Sequence, residues 1–146
     1  FVVGKANTAV NSTNWTWGVW IDSAKAAGSR VFTLDIPNGT TRKFIDGTDV
    51  TLWSNTWYFV AARFKSATEI ALFVGNSVGL YKHVNTTGIG AVMNNSAAVA
   101  FRILRRGDGS WPIQGGEAGM FSIHAADLDD RTIRAVYESQ RRYFGS

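Results

Sequence analysis

Acidic side chains and histidines are too few and too scattered in this sequence to form a recognised catalytic pattern. The glutamates are Glu69, Glu117 and Glu138, and the histidines are His83 and His124. A glycosidase needs two carboxylates about 5–10 Å apart, and no Glu-x-Asp-x-x-Glu run supplies them. There is no cysteine and no Gly-x-Ser-x-Gly elbow to present a nucleophile. We therefore predict that the chain is not an enzyme.

Two Asp-Gly segments offer the hard oxygen ligands that calcium prefers. They are Asp46-Gly47-Thr48-Asp49 and Asp108-Gly109. Turn chemistry explains the same residues, because Asp and Gly both favour tight turns. The two histidines do not have zinc-ligand spacing. The sequence thus predicts no metal centre and no cofactor, with calcium as the one ion left open.

Tryptophan is the strongest remaining signal, with six in 146 residues. Trp53 and Trp111 fall in predicted loops, where an exposed indole can stack on the C–H face of a sugar. Asp49 beside Trp53, and Asp108 and Gln114 beside Trp111, could then hydrogen-bond the ligand. The alternative is that both indoles only cover the ends of the fold. These five residues are the predicted ligand-binding site.

Most of the chain alternates apolar and polar residues, which is the pattern of half-buried strands. The run Trp57–Phe64 is the most apolar, so we expect a central strand with Trp57 in the core. The pair His83 and His124 is expected at exposed strand ends. The predicted strands are Trp15–Asp22, Arg30–Ile36, Thr41–Ile45, Trp57–Phe64, Glu69–Val74, Val78–Lys82, Ala97–Leu104 and Ala118–His124.

The period changes to helical spacing only near the C-terminus. Ile133, Val136 and Tyr137 repeat at intervals of three and four residues, as on one face of a helix. Asp129 is a suitable N-cap, and Leu128 with Ile133 fits a hydrophobic staple. We predict one all-β domain over residues 1–146, with two antiparallel sheets and one short C-terminal helix.

The charge and the hydropathy of the chain limit the kinds of partner that we expect it to bind. The formal net charge is +4, but the basic residues are dispersed, so nucleic acid is not expected and an anionic polymer is only the alternative. No apolar run approaches the ~20 residues that span a bilayer. The chain opens on the apolar segment Phe1–Val3 without a signal peptide, which suggests a piece of a longer polypeptide.

Four segments, in order, resemble the laminin-G-like jelly-roll domains of the concanavalin-A-like lectin and glucanase superfamily. Phe59, Asn76 and Ala118-Gly119 depart from that pattern, since many members have His, Asp and an acid at these places. The segments that carry the resemblance are Thr56–Phe64 with Ile70–Asn76, Phe101–Gly109, Glu117–Ile123 and Leu128–Tyr137.

The resemblance implies a jelly-roll β-sandwich that lacks its first strands. It also implies a non-catalytic module of a secreted, cell-surface or virion protein, whose partner is a glycan. The first alternative is a structural module of a phage capsid or tail fibre, which packs against neighbouring subunits in a larger, oligomeric assembly. The second is a polysaccharide hydrolase or lyase, which the missing acids disfavour. Membrane insertion is not expected.

Overall fold

The fold was analysed in a computed structural model that describes residues 3–5, 17–21, 28–38, 41–65, 67–89, 102–103 and 117–144. Their regular structure consists mainly of antiparallel strands, followed by one helix, as the sequence predicts. The elements are β1 (Val3–Lys5), β2 (Trp17–Ile21), β3 (Phe32–Asn38), β4 (Thr41–Asp46), β5 (Phe59–Lys65), β6 (Glu69–Gly75), β7 (Leu80–Asn85), β8 (Arg102–Ile103) and α1 (Asp130–Gln140), with a short 3₁₀ helix at Arg141–Tyr143.

The strands form two sheets. The first sheet has the order β4-β3-β2-β1-β8 and the second has the order β5-β6-β7. In the hairpin of β3 and β4 the pairing extends to Asn38 with Thr41. Alternation along β3 turns Phe32, Leu34 and Ile36 toward one side of the sheet.

The two sheets share one hydrophobic core. Apolar side chains on the inner face of each sheet, with Val50 from the loop after β4, are almost fully buried there. The core residues are Val19, Phe32, Leu34, Ile36, Ile45, Val50, Ile70, Leu72 and Val74. At about 25 cal/mol per Å² of apolar surface removed from water, this contact between the sheets is the main stabilising feature.

Strand β6 is buried on both faces, because α1 covers its outer side. Ala71 and Phe73, which alternate with the core residues, pack against Ile133 of the helix. The helix comes very close to β6 at Gly75, where an added Cβ would lie 2.7 Å from Cε2 of Tyr137. Only glycine therefore lets the helix dock this close to β6.

An aromatic cluster fixes the C-terminal half of the helix. The Tyr137 ring stacks on Phe144 at 5.9 Å and meets Phe59 edge-on at 5.7 Å. Its hydroxyl donates a 2.6 Å hydrogen bond to the backbone oxygen of Asn76, and burial raises the pKa of this phenol. The tyrosine is fully buried, so it joins the helix to the β6–β7 turn.

A charged cluster fixes the other end of the helix. Arg63 of β5, mostly buried, donates to the Leu128 oxygen at 3.0 Å, to Asp130 at 2.6 Å and to Glu69. Asp130 also accepts a 2.8 Å bond from Lys82. These hydrogen bonds, from Lys82 first, hold the pKa of Asp130 below its ordinary value.

The helix begins as the sequence predicts. Asp129 is the N-cap, and its carboxylate accepts a 2.7 Å bond from the Thr132 amide. Hydrogen bonds from Thr132, from its side chain first and then from its amide, lower the pKa of the Asp129 carboxyl. Leu128 packs against the cluster that contains Ile133, which confirms the staple. No helix in the described ranges combines the length and the hydropathy needed to cross a membrane.

Several strand predictions are corrected. Within the described part, β5 lies at the margin of its sheet rather than at the centre. Trp57 precedes it and is 44% exposed, so its core assignment is wrong. Residues 118–124 form no strand. Of the predicted strand Ala97–Leu104, only Arg102–Ile103 lies within the described residues, and there it pairs with β1.

Candidate functional site

The segment between β4 and β5, residues 47–58, carries Asp49 and Trp53 and is called the Trp53 loop below. Its backbone is fixed at two places, to β3 of the first sheet and to the segment just before β3. The Gly47 amide donates to the Phe32 oxygen at 2.8 Å, and the Leu52 amide donates to the Arg30 oxygen at 2.9 Å. Val50, between these two bonds, is buried in the core. The loop is therefore held rigidly at its base.

Tyr58 organises the outer half of the Trp53 loop. Its hydroxyl accepts a 2.7 Å bond from the Trp53 amide and donates a 3.3 Å bond to the Thr51 oxygen. The ring packs edge-on against Phe32, with centroids 5.9 Å apart. Asn55 takes a left-handed conformation with φ 57°, which Asn tolerates better than most residues. The backbone that carries Trp53 is thus set by a core aromatic residue.

The Trp53 side chain is 65% exposed. One end of its indole lies over Gly28, where an added Cβ would be 3.8 Å from Cη2. Gly28 has a φ of 85°, a conformation that other residues rarely adopt. The ring therefore rests on a bare stretch of backbone and presents the rest of its surface to solvent. A flat, exposed indole on a fixed loop is suited to stacking against an apolar ligand face.

Asp49 links the Trp53 loop to the second sheet. Its Oδ2 lies 3.4 Å from Nε2 of His83 in β7, and this pair is an ion pair only when the imidazole is protonated. The Asp49 side chain is 58% exposed and that of His83 is 12% exposed. His83 is therefore largely covered, and the expectation of an exposed strand end is wrong for it. Asp49 keeps carboxylate surface available to hydrogen-bond a ligand.

The structure thus places Asp49 and Trp53, two of the predicted site residues, in one loop. Trp111, Asp108 and Gln114 lie outside the described residues. Glu117 is exposed, as is His124, whose Nε2 is 3.2 Å from the Ser122 hydroxyl. Sequence reasoning had also missed Tyr58 as the residue that positions Trp53. A tyrosine at the start of a strand gives no sequence signal for that contact.

The first loop with predicted calcium ligands does not assemble a metal site. Asp46 Oδ1 accepts a 2.5 Å bond from Thr33 Oγ1, on the outer face of the first sheet. Asp49 instead turns toward His83 on the second sheet. Within the described ranges, no three His, Asp or Glu side chains come together as a set that could hold a metal ion.

The outer face of the first sheet carries polar residues that the sequence analysis did not select. Trp20, Thr33 and Asp46 form one row across three strands, because Trp20 pairs with Thr33 and Thr33 pairs with Asp46. In the adjacent row Asp35 lies opposite Phe44. Asp35 and Asp46 are therefore diagonal neighbours on one face. The signal in the sequence is Thr33 and Asp35 inside an otherwise apolar strand.

Diagonal neighbours on adjacent strands lie about 7–8 Å apart at Cα, a separation that a pair of glycosidase carboxylates would tolerate. Asp35, however, is 0% exposed. A carboxylate without solvent access cannot touch a polymer substrate in this conformation. Among the described residues, the Trp53 loop instead offers an accessible indole and an accessible carboxylate on a fixed backbone.

Comparisons with models of protein families, with curated proteins and with solved structures found no match. The arrangement of the described residues is therefore the basis for the functional proposal.

Proposed function

We propose that the chain is a non-catalytic carbohydrate-binding module with a jelly-roll β-sandwich fold, carried by a larger secreted, surface or virion protein. The observation that carries the proposal is the 65% exposed indole of Trp53. The loop that carries it is fixed by Tyr58 and by two backbone bonds, to β3 and to the segment just before β3. Sugar rings have apolar C–H faces that stack on such indoles, and fixed loops lose little entropy on binding.

Each residue has a role in this proposal. Trp53 stacks against the sugar ring, and the exposed carboxylate of Asp49 accepts hydrogen bonds from sugar hydroxyls. Tyr58 positions the Trp53 backbone without touching the ligand. The sandwich itself is supported by two antiparallel sheets that share one core.

A glycan array with the purified protein tests the proposal. Trp53→Ala should abolish binding to the sugars that wild type retains, while the fold is unchanged by circular dichroism. Tyr143→Ala is the matched control, because Tyr143 is similarly exposed at 60% but belongs to the 3₁₀ helix. Equal loss in both variants, or equal retention in both, contradicts a site at Trp53.

A second candidate is a structural module that packs against other subunits of an assembly. Exposed apolar residues around Trp57 favour it, because large apolar side chains in solvent often mark a protein interface. Gly119 lies beside the Trp57 ring, and the neighbouring exposed residues are Met120, Phe121 and Ile123. A protein that binds no sugar but self-associates, with Met120→Ser restoring the monomer, would support this candidate over the first.

A further inference from the structure

The outward side of α1 and the 3₁₀ helix carries four arginines and no lysine: Arg131, Arg134, Arg141 and Arg142. Ile133 and Tyr137 mark the side that faces the sheet. At about 100° per residue, positions 131 and 134 lie on one flank of the helix. Position 142 returns to that flank about three turns later, roughly 16 Å along the axis at 1.5 Å per residue. This surface is called the arginine flank.

Each acid near the arginine flank already has a partner, which for Glu138 is Arg141 of the flank itself. Glu138 lies 3.7 Å from Arg141, whose guanidinium also donates to the Ser77 oxygen at 2.9 Å. Asp129 caps the helix through the Thr132 amide. Asp130 accepts from Arg63 and Lys82. The negative charges that could neutralise the flank therefore serve contacts that hold the helix in place.

Three of the arginines, Arg131, Arg134 and Arg142, form no ion pair with an acid of the described residues. Arg131 and Arg134 are exposed and form no ion pair within the described part of the chain. Arg142 lies over the Tyr143 ring, 4.9 Å from its centroid, and this contact leaves its charge intact. The pattern agrees with the net charge of +4 for the whole chain.

We propose that the arginine flank binds a linear acidic polysaccharide through its carboxylate or sulfate groups. Guanidinium groups form paired hydrogen bonds with such planar or tripodal anions. A linear polymer can meet Arg131, Arg134 and Arg142 in turn, whereas a small anion would meet one of them. None of these residues lies in the Trp53 loop, so the proposal does not depend on that site.

The number of contacts argues against nucleic acid as the ligand. Proteins that bind duplex DNA strongly neutralise about 6–10 phosphates, whereas the flank offers three uncompensated guanidinium groups. About three ionic contacts at a slope of roughly 0.7 each predict that binding weakens about 18-fold between 50 and 200 mM NaCl. This salt dependence is a measurable signature of the flank.

The experiment measures binding of the whole chain to polygalacturonate and to dextran sulfate, with neutral dextran as the uncharged probe. We expect Arg131→Gln/Arg134→Gln to weaken binding at least tenfold at 50 mM NaCl. Its remaining salt dependence should fall to about threefold over the same range, since one contact is left. Trp53→Ala should leave this binding unchanged, which separates it from the loop site.

The control removes two positive charges elsewhere, in Arg30→Gln/Lys65→Gln. Both positions are exposed and neither lies on α1. If this control weakens binding as much as the helix variant, only net charge matters and the proposal is wrong. Equal affinity for duplex DNA at each salt concentration, or no binding to either polyanion, would also overturn it. Thermal unfolding of both variants shows whether a loss reflects misfolding.

Discussion

The close approach of α1 to β6 gives the sharpest stability prediction, through Gly75→Ala. Alanine normally stabilises a strand by about 0.5–1 kcal/mol relative to glycine, because glycine loses more backbone entropy on folding. Here the added Cβ would lie 2.7 and 2.8 Å from the Tyr137 ring and 3.1 Å from Leu80. Because this strand is buried on both faces, the ring must shift within a packed interface.

Overpacking of this kind costs about 1–3 kcal/mol, which exceeds the backbone gain. We therefore expect Gly75→Ala to lower the free energy of unfolding in a urea titration by about 1–2 kcal/mol. Gly79→Ala is the control, because its Cβ would meet the Tyr81 ring at 3.6 Å, an ordinary contact.

The double variant Gly75→Ala/Tyr137→Ala isolates the cause. Once the ring is removed, the extra methyl group has room, so Gly75→Ala should become neutral or stabilising in the Tyr137→Ala background. If the single variant Gly75→Ala, with Tyr137 still present, is as stable as the wild-type protein, the docking of the helix on β6 is refuted.

Three further predictions concern the contacts that hold the helix. Arg63→Ala should lower the free energy of unfolding by about 2–3 kcal/mol in urea titrations, because it leaves the largely buried Glu69 without its partner. Asp130 is half-exposed, so the loss of its bond to Arg63 should cost less. An effect as small as that of Lys65→Ala would contradict this prediction. Tyr137→Phe should cost about 1 kcal/mol, because the Asn76 oxygen loses its donor. Burial raises the pKa of Tyr137 above its ordinary value of 10.0, so the unfolded chain releases the proton first. Wild-type stability should therefore fall as pH rises beyond about 10, and the fall should be smaller in Tyr137→Phe. Asp129→Ala should lower the urea midpoint at pH 6. Because the pKa of Asp129 is lowered in the folded state, its carboxylate stabilises the fold at pH values above the ordinary pKa of 3.8. This stabilisation disappears as the pH falls through the folded-state pKa. Asp129→Asn, which still caps, should lose little at pH 6.

Local patterns were sufficient to predict the elements whose own residues decide their structure. The alternation of Phe32, Leu34 and Ile36 predicted β3 and its buried face. Helical spacing with an Asp129 cap and a Leu128 staple predicted α1 and the residue at which it starts. Both signals depend on contacts within a few positions of each other, which a sequence displays directly.

Long-range contacts were not predictable in the same way. The apolar segment around Trp57 predicts that this residue lies in the core. In the structure, β5 begins two residues later, and the Trp57 indole is exposed. Burial depends on which element covers a strand, and no local pattern indicates that α1 covers β6. For the same reason, Thr33 and Asp35 were not selected although both are buried.

The candidate site was predictable in part. Tryptophan and aspartate in a polar segment identified Trp53 and Asp49. Two contacts that shape the site were not evident, namely that of Tyr58, at the end of the same loop, with the Trp53 amide and that of His83, in β7, with Asp49. Residue type alone thus identifies the groups that could bind a ligand. The contacts that position these groups depend on the packing of the strands and loops, which residue type does not reveal.

The most direct measurement for the proposed sugar site is an NMR titration of protein labelled with ¹⁵N-tryptophan. It follows the six indole N–H resonances while the sugars that bind the protein on the array are added. Trp53→Phe assigns the relevant peak. The proposal predicts that the Trp53 resonance shifts most and saturates with the measured affinity. A Trp53 peak that stays in place with every sugar, including one that shifts other indoles, would contradict it.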